Sequence, residues 1–177
     1  MQQHFYQGHT DEVVCIAVHP TMSIVASGQL GAVPSIHIWR PNDRTCLRHI
    51  HGFHKYGIAL LEFNHRGDQL ASVGLDTDHS LAIHAWTHGS HLVASGRSNG
   101  SPQPLDMAFS EDDKTLCVVA HKYITFFTIT GRALEGIPAT LKPSAQALMG
   151  SQSALLGRCG QHLSKAGGRV SAAGDSA

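Results

Sequence analysis

The stretch that decides the fold runs from Gly8 to Trp39 and reads GHTDEVVCIAVHPTMSIVASGQLGAVPSIHIW. It contains an apolar segment at 13–18, a segment of small and apolar residues at 24–28, and a third at 35–39 that ends in tryptophan. Polar and glycine-containing turns separate the three segments. Short apolar segments bounded by turn formers in this way predict β-strands.

The same arrangement recurs twice along the chain. The first segment is found again at 58–64 and 105–110, and the third at 80–86 and 123–128. Corresponding positions lie roughly 41 to 47 residues apart, which is the period of a four-stranded propeller blade. A fourth strand fits between the units, at 45–50 and at 91–95. The recurrence favours stacked blades over a sandwich of independent hairpins.

The sequence therefore predicts an all-β fold: a partial WD-repeat β-propeller over residues 1–136. It comprises about three four-stranded blades, at about 9–52, 53–100 and 101–136. A blade cannot bury both of its apolar faces alone, whereas stacking one blade on the next buries them. Because known propellers close with about four to eight blades, two blade faces are expected to stay open. We therefore expect the isolated chain to associate with itself or with a partner.

Residues 137–177 have a different composition. They are rich in alanine, glycine and serine and contain no aromatic residue. Such a segment buries too little apolar surface to offset the entropy of ordering the chain. We predict a disordered tail with at most one weak helix near Ser144 to Leu156.

Polar residues at fixed points in each unit predict the hydrogen-bonded ladder of WD blades. In that ladder a histidine before the first strand, a turn aspartate, a serine in the second strand and a tryptophan after the third bond to one another, because buried polar groups need partners. The first unit has no acid between Gln29 and Pro34. We interpret all of the candidates as structural. They are His9, Ser27 and Trp39 in the first unit, His54, Ser72, Asp76 (with Asp78 as the alternative turn acid) and Trp86 in the second, and Phe127 at the tryptophan position of the third.

Five segments resemble the echinoderm microtubule-associated protein-like family. Residues 5–20, FYQGHTDEVVCIAVHP, resemble the entry to one of its propellers. The runs VASGQLG at 25–31 and PSIHIW at 34–39 are similar to its extended turn and Ile-Trp strand. The similarity continues in order through LASVGLD at 70–76 and HKYITFFT at 121–128.

The resemblance implies a function in protein binding. The family binds tubulin and microtubules and modulates microtubule dynamics. A cytoplasmic, cytoskeleton-associated and non-catalytic interaction module with tubulin as its partner is therefore expected. Two alternatives stay open: a general WD-repeat scaffold for another complex, and a truncated fragment with no function of its own. Other proteins are expected to bind through the propeller loops, here 29–34, 76–79 and 96–104.

Charge and cysteine content exclude several other classes. The 13 Lys and Arg residues balance 13 Asp and Glu residues, so no basic footprint for nucleic acid or an anionic membrane is expected. No apolar run is long enough to cross a membrane, and no signal peptide is recognisable. The four cysteines lack disulfide or zinc spacing, which indicates a reduced intracellular chain.

Catalytic and metal sites are not expected either. The sequence contains no phosphate-binding glycine loop, Gly-x-Ser-x-Gly elbow or His-Glu-x-x-His helix. Two histidine groups offer imidazoles that zinc binds, but no cysteine or acid joins either group at diagnostic spacing. We therefore predict no enzyme activity, no cofactor and no metal. The two groups are His49, His51 and His54, and His84, His88 and His91.

Overall fold

The computed structural model of the chain describes residues 5–98 and 103–139, which form twelve β-strands and one short 3-10 helix at Trp86–His88. The predicted disordered tail begins at residue 137, but Ile137 and Pro138 belong to the last strand. The tail residues beyond 139, where the weak helix is expected, lie outside the described residues. The strands are β1 (Val13–Val18), β2 (Val25–Gln29), β3 (Ser35–Trp39), β4 (Cys46–His51), β5 (Ile58–Phe63), β6 (Leu70–Gly74), β7 (Ser80–Ala85), β8 (His91–Arg97), β9 (Pro104–Phe109), β10 (Thr115–Ala120), β11 (Tyr123–Thr130) and β12 (Ala133–Pro138).

Consecutive strands pair in antiparallel fashion and form three four-stranded blades. Blade 1 contains β1 to β4, blade 2 contains β5 to β8, and blade 3 contains β9 to β12. Within each blade the strands follow one another in chain order. The all-β prediction of about three propeller blades is confirmed. The first strands of neighbouring blades, β1 with β5 and β5 with β9, lie against each other.

Side-chain alternation along the strands gives each blade two apolar faces. Leu70 belongs to a cluster that blades 1 and 2 share, together with Ile38 and Phe63. The next residue, Ala71, points the other way into a second cluster, which blades 2 and 3 share. Blade 2 is thus apolar on both sides, as expected for a sheet that is covered on both faces.

A glycine allows the first two blades to approach closely. A Cβ added to Gly28 would lie 2.7 Å from Cys15 Sγ and 2.7 Å from Ile58 Cβ. Cys15 Sγ donates a hydrogen bond across the junction to the Ile58 carbonyl at 3.2 Å. Burial raises the pKa of the Cys15 thiol to about 12, so this donor stays protonated at neutral pH.

A second glycine joins blades 1 and 2 at their turns. The Gly67 carbonyl accepts hydrogen bonds from His19 Nε2 at 2.9 Å and from Trp86 Nε1 at 2.7 Å. Gly67 has a φ of 75°, and an added Cβ would lie 2.1 Å from His19 Nε2. Only glycine fits this left-handed conformation and this contact.

The junction between blades 2 and 3 uses a buried carboxylate. Asp113, whose side chain is 3% exposed, lies in the turn after β9. Its Oδ1 accepts from the His65 amide at 2.8 Å, and its Oδ2 accepts from the Arg66 amide at 3.3 Å and from Asn64 Nδ2 at 3.2 Å. One side chain of blade 3 thus satisfies donors in a turn of blade 2.

The outer strands are joined differently at the two junctions. Blades 2 and 3 are connected by a parallel bridge between Ser95 and Ala133, where the Ser95 amide donates to the Arg132 carbonyl at 3.1 Å. Between blades 1 and 2, Arg48 Nε donates to the Trp86 carbonyl at 2.9 Å. The Arg48 side chain therefore joins the outer strands of blades 1 and 2, whereas backbone pairing joins those of blades 2 and 3.

Blade 1 exposes apolar side chains on the face turned away from blade 2. Ala17 of β1 is buried toward blade 2, whereas Val14, Ile16 and Val18 on the opposite side are 42%, 63% and 72% exposed. In blades 2 and 3 the corresponding face is covered by the preceding blade. Contiguous exposed apolar surface of this kind promotes association.

We predict that Ile16→Lys shifts the isolated chain toward the monomer. The substitution places a charge in the exposed apolar face, where association would desolvate it. Light scattering coupled to size exclusion measures the change. Val33→Lys is the matched control, because Val33 is 67% exposed but lies in a loop. A wild-type chain that is a monodisperse monomer would contradict the prediction.

We also predict that Asp113→Ala lowers the free energy of unfolding by about 1–3 kcal/mol, the cost of leaving buried donors without a partner. Urea denaturation followed by tryptophan fluorescence measures the change. Glu111→Ala, an exposed acid of the same turn, serves as the control and should leave the transition nearly unchanged. Equal effects of the two substitutions would show that the hydrogen bonds of the Asp113 carboxylate contribute nothing to the free energy of unfolding.

Candidate protein-interaction surface

The connections that follow even-numbered strands lie together on one side of the blades. Because adjacent strands are antiparallel, the β2–β3, β4–β5, β6–β7 and β10–β11 connections leave from the same end of the strands. These are residues 30–34, 52–57, 75–79 and 121–122, and the connection after β8 begins at Ser98 at the same end of the strands. We call this surface the loop face.

Backbone hydrogen bonds link these loops to one another. The Gly31 amide donates to the Tyr56 carbonyl at 3.2 Å, and the Leu75 amide donates to the Gly57 carbonyl at 3.0 Å. The Ser98 amide donates to the Asp78 carbonyl at 3.1 Å. The loops predicted at 29–34, 76–79 and 96–104 therefore share one surface, except that residues 99–102 lie outside the described part. The mutual bonds hold the loops in fixed relative positions.

The exposed side chains of the loop face are mixed in character. Val33 and Tyr56 are 67% and 63% exposed and supply apolar contact area. Asp78 and Arg97 form an exposed ion pair with a separation of 3.1 Å. A surface with exposed aromatic and aliphatic groups among charges of both signs is typical of protein-binding surfaces.

In blade 1 a ladder of side chains supports the loop face. His9 Nε2 lies 2.6 Å from Ser27 Oγ, and His9 Nδ1 lies 2.8 Å from Gln29 Oε1. Trp39 Nε1 donates to Ser27 Oγ at 3.0 Å. Because Gln29 Oε1 can only accept, His9 Nδ1 is the donor. In that tautomer His9 Nε2 accepts the hydroxyl proton of Ser27.

Gln29 occupies the place of the missing acid. Its Oε1 also accepts from the Thr10 amide at 3.3 Å, and its Nε2 donates to Thr10 Oγ1 at 3.1 Å. Tyr6 completes the assembly by stacking on Trp39, with ring centroids 4.3 Å apart and nearly parallel planes. The sequence pattern expects a carboxylate at this position and so does not identify Gln29, although an amide oxygen accepts the same hydrogen bond.

In blade 2 the ladder runs through an additional serine. His54 Nε2 lies 2.7 Å from Ser72 Oγ, and His54 Nδ1 lies 2.7 Å from Ser80 Oγ. The Ser80 hydroxyl donates to the Asp76 carboxylate, so Ser80 Oγ accepts from His54 Nδ1. Asp76 Oδ2 and His54 Nδ1 are 4.0 Å apart, and Ser80 relays the interaction between them.

The pKa directions agree with this arrangement. Burial lowers the pKa of His54 to about 4, against an opposing attraction from Asp76. Burial also opposes ionisation of Asp76, but hydrogen bonds from the Ser80 hydroxyl and amide outweigh it and hold its pKa below the usual range. At neutral pH a neutral imidazole therefore faces an ionised carboxylate through a hydroxyl group. His54 and Asp76 are therefore linked by hydrogen bonds through Ser80 and do not form an ion pair.

The remaining sequence candidates have other surroundings. Trp86 lies in the 3-10 helix after β7 and donates to the Gly67 carbonyl, not to Ser72. Its indole therefore belongs to the junction with blade 1. Phe127 of β11 is 1% exposed and packs in the apolar cluster between blades 2 and 3. A Cβ on Gly136 would lie 2.7 Å from its ring, so this glycine gives the phenylalanine its space.

The histidine groups show no geometry for a metal. In the described residues, no three or more His, Cys, Asp or Glu side chains converge as metal ligands. The rings of His49 and His51 are 5.0 Å apart, and His54 is engaged by two serines. The described part of the chain also contains no helix that is long and apolar enough to cross a membrane.

Repeated four-stranded blades with His-Ser-Trp and His-Ser-Asp ladders define the class of WD-repeat β-propeller proteins. The crystal structure of Saccharomyces cerevisiae Sqt1 has the same fold, with a TM-score of 0.59 at 16% identity over 75% of this chain and 36% of that chain. No protein-family model matches the sequence.

Sequence relatives confirm the resemblance to echinoderm microtubule-associated protein-like proteins. The chain is 28% identical over 149 residues to echinoderm microtubule-associated protein-like 2 of Mus musculus, and 29% identical over 150 residues to echinoderm microtubule-associated protein-like 1 of Rattus norvegicus. Both alignments cover 76% of the chain. WD repeat-containing protein 90 of Xenopus tropicalis is 24% identical over 79% of the chain. The alignments span only 22%, 18% and 8% of these relatives, respectively.

We predict that the stability of the fold falls as the pH is lowered from about 6.5 to 4. The pKa of His54 is about 4 in the folded chain and that of an unperturbed histidine is 6.5, so the unfolded chain binds more protons between these values. Stability therefore rises with pH across this window. Thermal unfolding by circular dichroism at several pH values measures the slope.

His54→Gln should be less stable than wild type at pH 7.5 but should show a shallower pH slope, reduced by the equivalent of about one proton. His37 and His84 have pKa values of about 4 for the same first cause, burial, and keep part of the slope. His121→Gln removes an exposed imidazole and should keep the wild-type slope. An unchanged slope in His54→Gln would refute the assignment.

Proposed function

We propose that this chain is a non-catalytic interaction module that binds microtubules through its loop face. The observation that carries the proposal is the similarity to two proteins named as microtubule-associated, in alignments of 149 and 150 residues that cover 76% of the chain. Because the chain spans about a fifth of their length, the activity of the whole relatives is not transferred directly. The proposed location is the cytoplasm, at the cytoskeleton.

The geometry of the loop face supports binding rather than chemistry. Its loops are tied together by backbone bonds, which reduces the entropy lost when a partner binds. The imidazoles behind it, His9 and His54, have both ring nitrogens engaged by neighbouring side chains. These two side chains therefore stabilise the conformation of the loops. Tyr56 and Val33 project from the surface and are the candidates for contact with tubulin.

A general WD-repeat scaffold is the second candidate function. The similarity to WD repeat-containing protein 90 covers 79% of the chain, slightly more than the other two alignments. The same loop face would then bind a different protein. The two candidates differ only in the partner, so a direct binding measurement separates them.

We predict saturable co-sedimentation of the full chain with taxol-stabilised microtubules. Val33→Asp with Tyr56→Ala should weaken the affinity at least about fivefold, because a tyrosine anchor is lost and the new carboxylate would be desolvated in the interface. Met22→Ala is the matched control, since Met22 is 47% exposed on the opposite side of the blades.

A parallel centrifugation without microtubules controls for self-association. A soluble chain that stays in the supernatant would refute microtubule binding and leave the scaffold function. Equal loss of binding in the control and in the loop variant would place the contact elsewhere than on the loop face.

A further inference from the structure

A cleft of about 340 Å³ opens between the outer parts of blades 1 and 2. One wall is formed by the end of β4 and the residues after it, and the other by the end of β7 and the start of β8. The residues that line it include His49, His51, Phe53, His84, Ser90 and Leu92.

The cleft lies at the position where, in the junction of blades 2 and 3, a backbone hydrogen bond joins the outer strands. Strand register pairs Ser72 with Ala82 and Ala82 with Ser95 in blade 2, and it pairs Ser27 with His37 and His37 with His49 in blade 1. His49 is therefore the counterpart of Ser95.

Arg132 lies in the turn between β11 and β12, and the corresponding turn of blade 2, residues 86–90 between β7 and β8, contains Ser90. The Ser95 amide bonds to the Arg132 carbonyl and closes the junction of blades 2 and 3. In the described strands, β4 has β3 as its only ladder partner and is an edge strand. An edge strand offers backbone groups to an added extended segment.

Two polar atoms in the walls of the cleft are buried and have no hydrogen-bond partner among the described residues. They are His84 Nδ1 and Ser90 Oγ. His84 as a whole is 4% exposed. Ser90 is held in a left-handed conformation, with a φ of 60°, by a bond from its amide to the Ala85 carbonyl at 3.1 Å. Buried polar atoms usually have a hydrogen-bond partner, and a ligand in the cleft with acceptor atoms would supply one to both groups.

The chemistry of the lining selects the type of ligand. Three imidazoles and one hydroxyl group line the cleft, and none of the residues lining it carries a carboxylate. Arg48 of β4 adds a guanidinium group at the same junction, where it donates to the Trp86 and Thr87 carbonyls. Hydrogen-bond donors without a competing acid favour an anionic acceptor, and a carboxylate can accept from several donors at once.

We propose that this cleft binds a carboxylate side chain of an extended acidic peptide, whose backbone runs beside the free edge of β4. Ser90 and His84 donate to the carboxylate, and Phe53 and Leu92 contact the apolar part of its side chain. The proposal rests on the proposed function as an interaction module and adds a second contact surface, separate from Val33 and Tyr56.

The test uses the full chain and a fluorescein-labelled glutamate hexapeptide, with binding followed by fluorescence anisotropy. The glutamate peptide should bind at least about tenfold more tightly than a glutamine hexapeptide. Ser90→Ala and His84→Phe should each weaken its binding about fivefold or more, which corresponds to the loss of one hydrogen bond. Ser98→Ala and His121→Gln remove the same functional groups outside the cleft and should bind as wild type does.

Each result decides a separate part of the proposal. Equal affinity for the two peptides would overturn the carboxylate assignment, and wild-type affinity of both cleft variants would overturn the location. Competition by free glutamate as strong as that by the peptide would show a small-molecule site and overturn the peptide. A folded Ser90→Ala chain with wild-type thermal unfolding excludes misfolding as the cause of a loss.

Microtubule co-sedimentation of Ser90→Ala separates this proposal from the proposed function. Loss of peptide binding with retained co-sedimentation supports a cleft that works independently of the loop face. Peptide binding without any co-sedimentation would refute microtubule binding alone and leave the cleft assignment in place.

Discussion

The burial of apolar side chains between adjacent blades is the interaction on which the rest of the structure depends. A four-stranded sheet with alternating side chains has two apolar faces, and only a neighbour can cover them. Leu70 and Ala71 are successive residues of one strand, yet they enter different clusters on the two sides of blade 2. Every loop and ladder described above is positioned by this stacking, because the inner strands β1, β5 and β9 must lie against one another.

Polar groups then fix how the stacked blades are aligned. The apolar clusters favour contact but do not define its direction, since the hydrophobic effect is not directional. The Gly67 carbonyl accepts one donor from blade 1 and one from its own blade, and the Asp113 carboxylate accepts several donors from blade 2, so each selects one alignment. Within blades 1 and 2, His9 and His54 do the same for the loops. The loop face is thus held rigid by bonds that lie beneath it.

Sequence periodicity was sufficient to predict the strands and the number of blades, because each strand follows from a local pattern of apolar and turn-forming residues. His9, Ser27 and Trp39 could be picked out since their spacing is fixed within one unit. Gln29 was overlooked because its role depends on a side-chain oxygen that a search for acids does not detect. The partner of Trp86 was not predictable, since Gly67 and His19 come from two other turns. The cleft likewise depends on which outer strands pair, and this is decided by contacts between distant residues.

The position of blade 2 between two junctions has a consequence for how the molecule comes apart. Blade 1 and blade 3 are each held by one described junction, whereas blade 2 is held by both, through Gly67 on one side and residues 64–66 on the other. Both junctions thus meet at a single turn, the one after β5. In a nearest-neighbour array of this kind, opening starts at an end and advances inward. That turn is therefore the last part of the array to lose its partners. A disruptive substitution there would weaken the contacts of blade 2 with blade 1 and with blade 3 at the same time.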